Sequence, residues 1–401
     1  MKFKSIRDME LKGRKVLLRA DLNVPARRGK VMDTTRIDRL KPTIDFLREG
    51  GAKVLILSHF GRPEGEQNPE MSLAFLLPTL EERWGCDIRF AQDCIGEKAE
   101  AVVSSMCDGD VALLENLRFH KGEKANDPAF VSKLAALGDI YANDAFSAAH
   151  RAHASTEGLA QRLPAAAGLL MEQELNALDA ALEHPEHPVA AIVGGSKIST
   201  KLNVLNNIVK KVDYLILGGA MANTFIYAQG GQVGSSLCET EMKDEALKIM
   251  ETARAHQCEI VLPVDSVVSE ELKVNAPSQV VSSSEIPAGK MAIDIGPESI
   301  AAVESVLEAC KTLLWNGPMG VFELKPFDNG TNALAAKAAA LTKAGKLKSI
   351  AGGGDTVSAL ENADACPDFT YISTAGGAFL EWLEGKTLPG IAALESAAKA
   401  A

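Results

Sequence analysis

Several things are scarce in this 401-residue sequence, and each scarcity excludes something. No apolar run reaches the roughly 18 residues that a membrane-spanning helix needs. Met1 to Asp8 is charged and has no apolar core, so no secretory signal is expected. Positive charge is in deficit: 42 Lys and Arg against 53 Asp and Glu leave a net charge of -11, which argues against a sequence-independent nucleic-acid binder. Cysteine is sparse as well. Cys86, Cys94, Cys107, Cys238, Cys258, Cys310 and Cys366 are odd in number and scattered, and none forms C-x-x-C. That excludes the common zinc-ribbon spacings and a disulfide framework, and leaves reduced, mostly buried thiols in a cytosolic protein as the expectation. Finally, arginine almost vanishes halfway along the chain. Fourteen lie between Arg7 and Arg162, and only Arg254 follows, whereas lysine does not thin out.

What is present suffices for two or three packed domains, with 46% hydrophobic and 24% charged residues. Short apolar runs alternate with amphipathic stretches of helical length. The runs predict strands at Val16–Ala20, Lys53–Leu57, Val111–Leu114 and Asp139–Ala142. In the second half they predict Val189–Val193, Tyr214–Leu217, Glu259–Leu262, Thr312–Trp315, Ser349–Ala351 and Thr370–Ser373. Arg36–Arg48, Asp127–Ala136 and Glu241–His256 read as helices. Such alternation implies parallel sheets with helices on both faces. Leu175, Leu178 and Leu182 recur at three- and four-residue steps, which makes Leu169–Glu183 a helix, and the prolines of His184-Pro-Glu-His-Pro188 end it. Because the chemistry changes on either side of it, this helix reads as an interdomain element.

Ligands of open parallel sheets bind beyond the carboxyl ends of the strands. In the first half those positions hold Asp21-Leu-Asn23, Ser58-His-Phe-Gly-Arg62, Glu115-Asn-Leu-Arg118 and Asn143-Asp144, with His150-Arg151 shortly after. In the second half they hold Gly194-Gly-Ser-Lys197, Gly218-Gly219, Asn316-Gly-Pro-Met-Gly320, Gly352-Gly-Gly-Asp355 and Ala375-Gly-Gly377. Arginine forks suit phosphate and carboxylate, while glycine turns let backbone amides and helix starts approach phosphate. The first half therefore reads as an acid-phosphate domain and the second as a nucleotide domain. Arg83 and Arg89 read as solvent-facing helix charges. Three other motifs carry less. Gly385-Lys-Thr387 lacks the first glycine of a P-loop, since Leu380 stands there. His150-x-x-His153 and His184-x-x-His187 have no supporting third ligand for a metal. His120 reads as a surface or packing histidine.

Taken together, these stretches resemble one family, phosphoglycerate kinase, from near Leu11 to Leu388-Pro-Gly390. The resemblance rests on Arg19-Ala-Asp-Leu-Asn-Val-Pro25, Asp33-Thr-Thr-Arg36, Ser58-His-Phe-Gly-Arg-Pro63 and Leu114-Glu-Asn-Leu-Arg-Phe-His120. It continues through Asn143-Asp-Ala-Phe146, Ala149-His-Arg-Ala-His-Ala-Ser155, Gly194-Gly-Ser-Lys197, Leu314-Trp-Asn-Gly-Pro-Met-Gly-Val-Phe-Glu323 and Gly352-Gly-Gly-Asp-Thr356, all in the family's order.

The resemblance implies an α/β protein of two doubly wound parallel-sheet (Rossmann-like) lobes joined by an interdomain helix and hinge. The lobes would be residues 1–168, with the tail 389–401 packing back on them, and 188–388, joined by 169–187. It implies reversible, Mg²⁺-dependent phosphoryl transfer between 1,3-bisphosphoglycerate and ADP, giving 3-phosphoglycerate and ATP, in a cytoplasmic monomer. Asp21, Asn23, Arg36, His59, Phe60, Gly61, Arg62, Arg118 and Arg151 would hold the three-carbon acid. Lys197 and Lys201 would meet the transferring and nucleotide phosphates. Gly195, Gly219, Asn316, Pro318 and Glu323 would line the nucleoside pocket, with Glu323 on the ribose hydroxyls. Gly353, Gly354, Asp355 and Thr356 would form the phosphate turn, Asp355 reaching the magnesium. Gly376 and Gly377 would open a helix aimed at the transferred group, so that Arg36, Lys197, Gly376 and Gly377 form the catalytic set. Three positions depart from the pattern. Ser147, Ala220 and Ala375 stand where glycine is usual, and a β-carbon there disfavours positive φ.

The chemistry suits these residues. An acyl phosphate is already activated and its carboxylate leaves readily, so positioning and charge compensation matter more than a general base. Two other readings stand beside this one. A non-catalytic two-lobed protein that binds an anionic ligand and a nucleotide would use the same arginines. A nicotinamide dehydrogenase would need a G-x-G-x-x-G, which Gly194-Gly-Ser-Lys-Ile-Ser199 lacks.

Overall fold

A computed structural model of the chain describes residues 2–400. It divides into two compact units, Met1–Leu175 with Thr387–Ala401, and Asn176–Lys386.

The first unit is built on β1 (Lys15–Ala20). A short antiparallel ribbon follows, β2 (Ala26–Arg27) with β3 (Lys30–Val31), then β4 (Lys53–Leu57), β5 (Ile88–Ala91), β6 (Val111–Leu114), β7 (Ile140–Asp144) and β8 (Ala165–Ala167). The main sheet has the order β5-β6-β4-β1-β7-β8, and every pairing in it is parallel. Its central strands are near-continuous apolar runs because both faces are covered. In the helix Thr35–Glu49, Ile37, Leu40, Ile44 and Leu47 are buried at three- and four-residue steps. They join Val16, Leu18, Val54 and Ile56 in the core. Local signals set the ends of shorter elements. Asp127 accepts from the amides of Ala129 (2.8 Å) and Phe130 (2.9 Å), and Pro128 opens the helix Pro128–Ala135 behind it. The C-terminal helix Pro389–Ala400 belongs to this unit. It packs on Leu159–Arg162 and β8, and the Gly390 amide donates to the Ala149 carbonyl at 2.9 Å.

The second unit contains β9 (Val189–Val193), β10 (Tyr214–Leu217), β11 (Gln232–Val233), β12 (Glu259–Val261), β13 (Asp265–Ser269), β14 (Ser278–Ser282), β15 (Glu285–Ile286), β16 (Met291–Ile295), β17 (Thr312–Asn316), β18 (Lys348–Gly352) and β19 (Tyr371–Ser373). Its parallel sheet runs β12-β10-β9-β17-β18-β19. Trp315, Leu313, Leu334 and Leu360 are in its core. An antiparallel sheet, β14-β13-β16, adds a wall that the alternating pattern does not predict.

The stretch 169–183 is helical throughout, as an α-helix at Leu169–Leu178 and a wider π turn at Asp179–Glu183. Its first turn is held by Asp144, whose Oδ1 accepts from Met171 N at 2.8 Å. A side chain at Gly168 would meet that same oxygen at 2.3 Å.

Candidate active site

In the first unit the loops beyond β1, β4 and β6 converge through their own hydrogen bonds. Ser58 Oγ donates to the Ala20 carbonyl (2.8 Å) and accepts from Leu22 N (3.0 Å), tying the end of β4 to that of β1. Asn23 Oδ1 accepts from Gly61 N at 3.0 Å, and Arg118 Nη1 donates to the Gly61 carbonyl at 2.8 Å. Arg36, in the first turn of its helix, donates through Nη1 to Asp21 Oδ2 (2.8 Å) and to the Asn23 carbonyl (2.9 Å). Asp21, Asn23, Arg36, Gly61 and Arg118 are thus one bonded group. Arg62 and Arg151 are exposed beside it. Burial, then Arg151, Arg19 and Arg62, pull the Arg118 guanidinium down to about 10. The ring of Phe60 lies edge-on to Phe75, 4.9 Å between centroids, which is a packing contact.

Beneath this group lies a network in which, apart from His59, the residues do not follow strands. Arg19 is 1% exposed although it sits within β1. It donates through Nη2 to His59 Nδ1 (2.8 Å) and through Nε to Ser155 Oγ (2.9 Å), and Ser155 donates to the buried Glu123 at 2.6 Å. A guanidinium only donates, so His59 Nδ1 is the acceptor and the imidazole proton sits on Nε2. Burial, Arg19 and Arg118 hold His59 well below the usual histidine value, so it is a neutral N–H donor near neutral pH. Burial and the same arginines bring His153 down to about 4. Arg19, Ser155 and Glu123 are missing from the sequence-based set because an arginine inside an apolar strand gives no strand-end signal.

Not every polar residue at a strand end faces this group. Asn143 and Asp144 belong to β7 rather than to the loop after it. Asp144 is fully buried against the start of the helix Leu169–Leu178, and burial lifts it to about 6. Glu115 accepts from Ser72 Oγ (2.6 Å) and Leu73 N (2.8 Å), which anchors a neighbouring loop.

In the second unit the strand ends border a cavity of about 360 Å³. Gly195, Gly219, Pro318, Glu323 and Asp355 line it, along with Leu237, Leu272 and Asp294, which the sequence does not single out. Gly219, at φ +66°, starts the helix Gly219–Ala228, and a β-carbon there would lie 2.7 Å from the Gly195 carbonyl oxygen. A second layer supports the turn. Asn316 Nδ2 donates to the Gly352 carbonyl (2.7 Å), and the Gly317 amide donates to Thr356 Oγ1 (2.7 Å). Gly353 sits at φ +102°, with a would-be β-carbon 2.7 Å from Asn316 Nδ2. Lys201 is turned inward. Its Nζ donates to the Gly194 carbonyl (2.6 Å), Asn316 Oδ1 (2.6 Å) and the Asn316 carbonyl (3.1 Å). Burial pulls it down to about 8, and Asp355 works against that. Asp294 is pushed up to about 7, chiefly by burial. Lys197 is exposed just before the helix Leu202–Ile208. Gly376 and Gly377 stand at the start of Gly377–Leu383 and do not line the cavity. Asp355 is exposed in the first turn of Gly354–Asn362, a hard oxygen donor on the cavity wall, and therefore suits a magnesium ion. Ser147, Ala220 and Ala375 all lie outside positive φ, so their β-carbons are accommodated.

The remaining motifs have local explanations. Gly385 is a turn at φ +76°. His184 pairs with Asp179 (2.9 Å), His187 with Asp213 (2.7 Å) and His120 with Asp93 (2.7 Å), the last ring also packing on Phe130. Arg83 and Arg89 are exposed and paired with Asp38 and Asp110, but Arg89 lies in β5 and not on a helix, because Ile88 and Ala91 on either side of it are drawn into the sheet. All seven cysteines are free: three are buried, three half-buried, and Cys107 is exposed, so fewer are buried than composition suggests. Among the described residues no helix is long and apolar enough to cross a membrane.

The two units define an α/β protein in which each parallel sheet carries a polar site at the carboxyl ends of its strands, one rich in guanidinium groups and one in glycine turns. The sequence profile of the phosphoglycerate kinase family matches residues 6–386. The chain is 57% identical to a phosphoglycerate kinase of Sinorhizobium fredii over 392 residues, covering 98% of each. It is 55% identical to that of Rhizorhabdus wittichii, covering 99% of this chain and all of the other. Among solved structures, the phosphoglycerate kinase of Coxiella burnetii superposes with a TM-score of 0.92 at 42% identity, covering 98% of this chain and 99% of that one. That of Pyrococcus horikoshii gives 0.78 at 29% identity, covering 99% of both. The chain belongs to the phosphoglycerate kinase family and has its activity, that of an ATP-binding transferase of glycolysis.

Proposed function

We propose that the first unit binds 3-phosphoglycerate and 1,3-bisphosphoglycerate, that the second binds Mg-ADP and Mg-ATP, and that closure of the two lobes brings them together for transfer. The observation that carries this is the crowding of Arg62, Arg118 and Arg151 beyond the strands of one unit, over the buried Arg19, so that after burial itself their charges depress Arg118. Such an array is most stable when a compact polyanion sits among the guanidinium groups. Arg36, Asp21 and Asn23 orient the three-carbon acid, and the neutral His59 donates to it.

Transfer to ADP breaks the bond between phosphorus and the acyl oxygen and forms one to a β-phosphate oxygen. The carboxylate leaves with the electron pair, and no general base is required. Arg36 and Lys197 stabilise the transferring group, joined by the amides at Gly376 and Gly377. The apolar rim of Leu237 and Leu272 suits a flat base, and Glu323 takes the ribose hydroxyls. Gly353, Gly354 and Thr356 shape the phosphate turn. Asp355 holds magnesium, which supplies charge neutralisation on the polyphosphate. We also propose that the enzyme acts as a cytoplasmic monomer. The test is ATP- and magnesium-dependent turnover of 3-phosphoglycerate, coupled to NADH oxidation through glyceraldehyde-3-phosphate dehydrogenase. The expected turnover number lies within about 1–10³ s⁻¹. A folded protein that binds both ligands and turns neither over would refute it.

A further inference from the structure

Ser147 lies in the turn Phe146–Ala148 beyond β7, and its hydroxyl donates to Asp21 Oδ2 at 2.5 Å. The same oxygen accepts from Arg36 Nη1 at 2.8 Å, and Oδ1 accepts from Asn23 N at 3.1 Å. Asp21 is therefore fixed by a donor from its own loop, one from the helix Thr35–Glu49 and, from the β7 side, the Ser147 hydroxyl. We infer that Ser147 is a positioning residue for the acid substrate, acting through Asp21 on Arg36 and Asn23. This inference rests on the acid-binding reading of Asp21 and Arg36.

A carboxylate oxygen shared between a hydroxyl and a guanidinium pulls less strongly on either donor than one with a single partner. The hydroxyl thus does two things. It fixes the rotamer of Asp21, and it moderates the ion pair that competes with an incoming anion for Arg36. The side chain of Asp21 is 13% exposed and that of Arg36 is 32% exposed, so water can replace the hydroxyl at Asp21 only in part. Without it, Asp21 can turn and close on Arg36, and the acid must break a tighter pair to bind.

The experiment compares S147A, S147T, D21A and R36A with the full-length enzyme. It measures KM for 3-phosphoglycerate and for Mg-ATP, kcat and Tm. S147A is expected to raise KM for 3-phosphoglycerate by about 3–10-fold, as for loss of one hydrogen bond to a charged group in a partly wet site. KM for Mg-ATP and Tm should stay near wild type. S147T keeps the hydroxyl and should restore the low KM. Residue 147 is outside positive φ, so both side chains fit the backbone. If D21A and R36A raise this KM but S147A does not, the role of Ser147 is overturned. It is equally overturned if S147A lowers Tm and raises both KM values together, because that is a structural effect. If D21A and R36A also leave KM for 3-phosphoglycerate unchanged, the acid-site reading fails and the role of Ser147 falls with it.

Discussion

Lys201 gives the most quantitative prediction. Its ammonium is buried against three carbonyl oxygens, from Gly194 and Asn316, and its pKa is pulled from 10.5 to about 8. At pH 8.5 a group with a pKa of about 8 is about three-quarters uncharged. A nucleotide polyphosphate beside it favours the charged form and returns it toward full protonation. Nucleotide binding at pH 8.5 should therefore take up about 0.7 proton per site. Because a proton is taken up, affinity falls as pH rises through 8. Without nucleotide the unfolded chain holds more protons on this group between pH 8 and 10.5, so the free enzyme gains stability as pH rises through that window. The assay is isothermal titration of ADP at pH 8.5 in two buffers of different ionisation enthalpy. The slope of the observed enthalpy against the buffer enthalpy is the proton uptake. In K201M that uptake should disappear. An uptake near zero in the wild type, or an equal uptake in K201M, would refute the reasoning.

Three further substitutions separate roles that the geometry assigns. R36A should lower kcat on the order of 10³-fold, the low end for a charge-stabilising arginine, with nucleotide affinity unchanged in direct titration; an unchanged kcat would leave Arg36 as a helix-start residue only. D355N keeps a polar residue in the first turn of its helix, so Tm should hold while Mg-ADP binding weakens. The readout is the magnesium dependence of ADP binding, and equal affinity at all magnesium concentrations would remove Asp355 from the metal site. E123A removes the buried carboxylate that accepts from Ser155 N and Oγ, the hydroxyl that Arg19 Nε reaches, and should cost about 1–3 kcal/mol in calorimetric stability, with E123Q losing less. A Tm matching wild type would show that Glu123 does not hold this network together.

The central strands were legible because a strand covered on both faces must be an apolar run, as in Val189–Val193. The edges were not. β5 is buried only at its two ends, Ile88 and Ala91, and β8 is three alanines, so neither forms a distinctive run. The sheet β14-β13-β16 escaped because its strands are short valine pairs and apolar residues broken by serine or aspartate. The site shows the same division. Asp21, Asn23, Arg36, Gly61 and Arg118 follow strands or open a helix, and the fold bonds them together. Arg19 and Ser155 are 136 residues apart in sequence, and nothing local announces their contact. Strand-end position is also an imperfect guide, since Glu115 and Asp144 spend their carboxylates on loop and helix anchoring.

The two polar sites hold their charge differently, and the difference follows from side-chain chemistry. A guanidinium cannot lose its proton near neutral pH, so the arginine group stays positive whether or not an anion is present. Its mutual repulsion persists in the free enzyme, adding to burial in the depression of Arg118, and is relieved when an anion enters. Lysine can shed its charge. Lys201 therefore tolerates burial against neutral carbonyls by becoming partly uncharged, and recovers its proton as the phosphates arrive. The backbone amides of the glycine turns carry no net charge in either state. The arginine-rich site thus attracts its ligand with charge already in place. The glycine-rich site acquires part of its charge together with the nucleotide, so its affinity should follow pH in the range where the other site is indifferent.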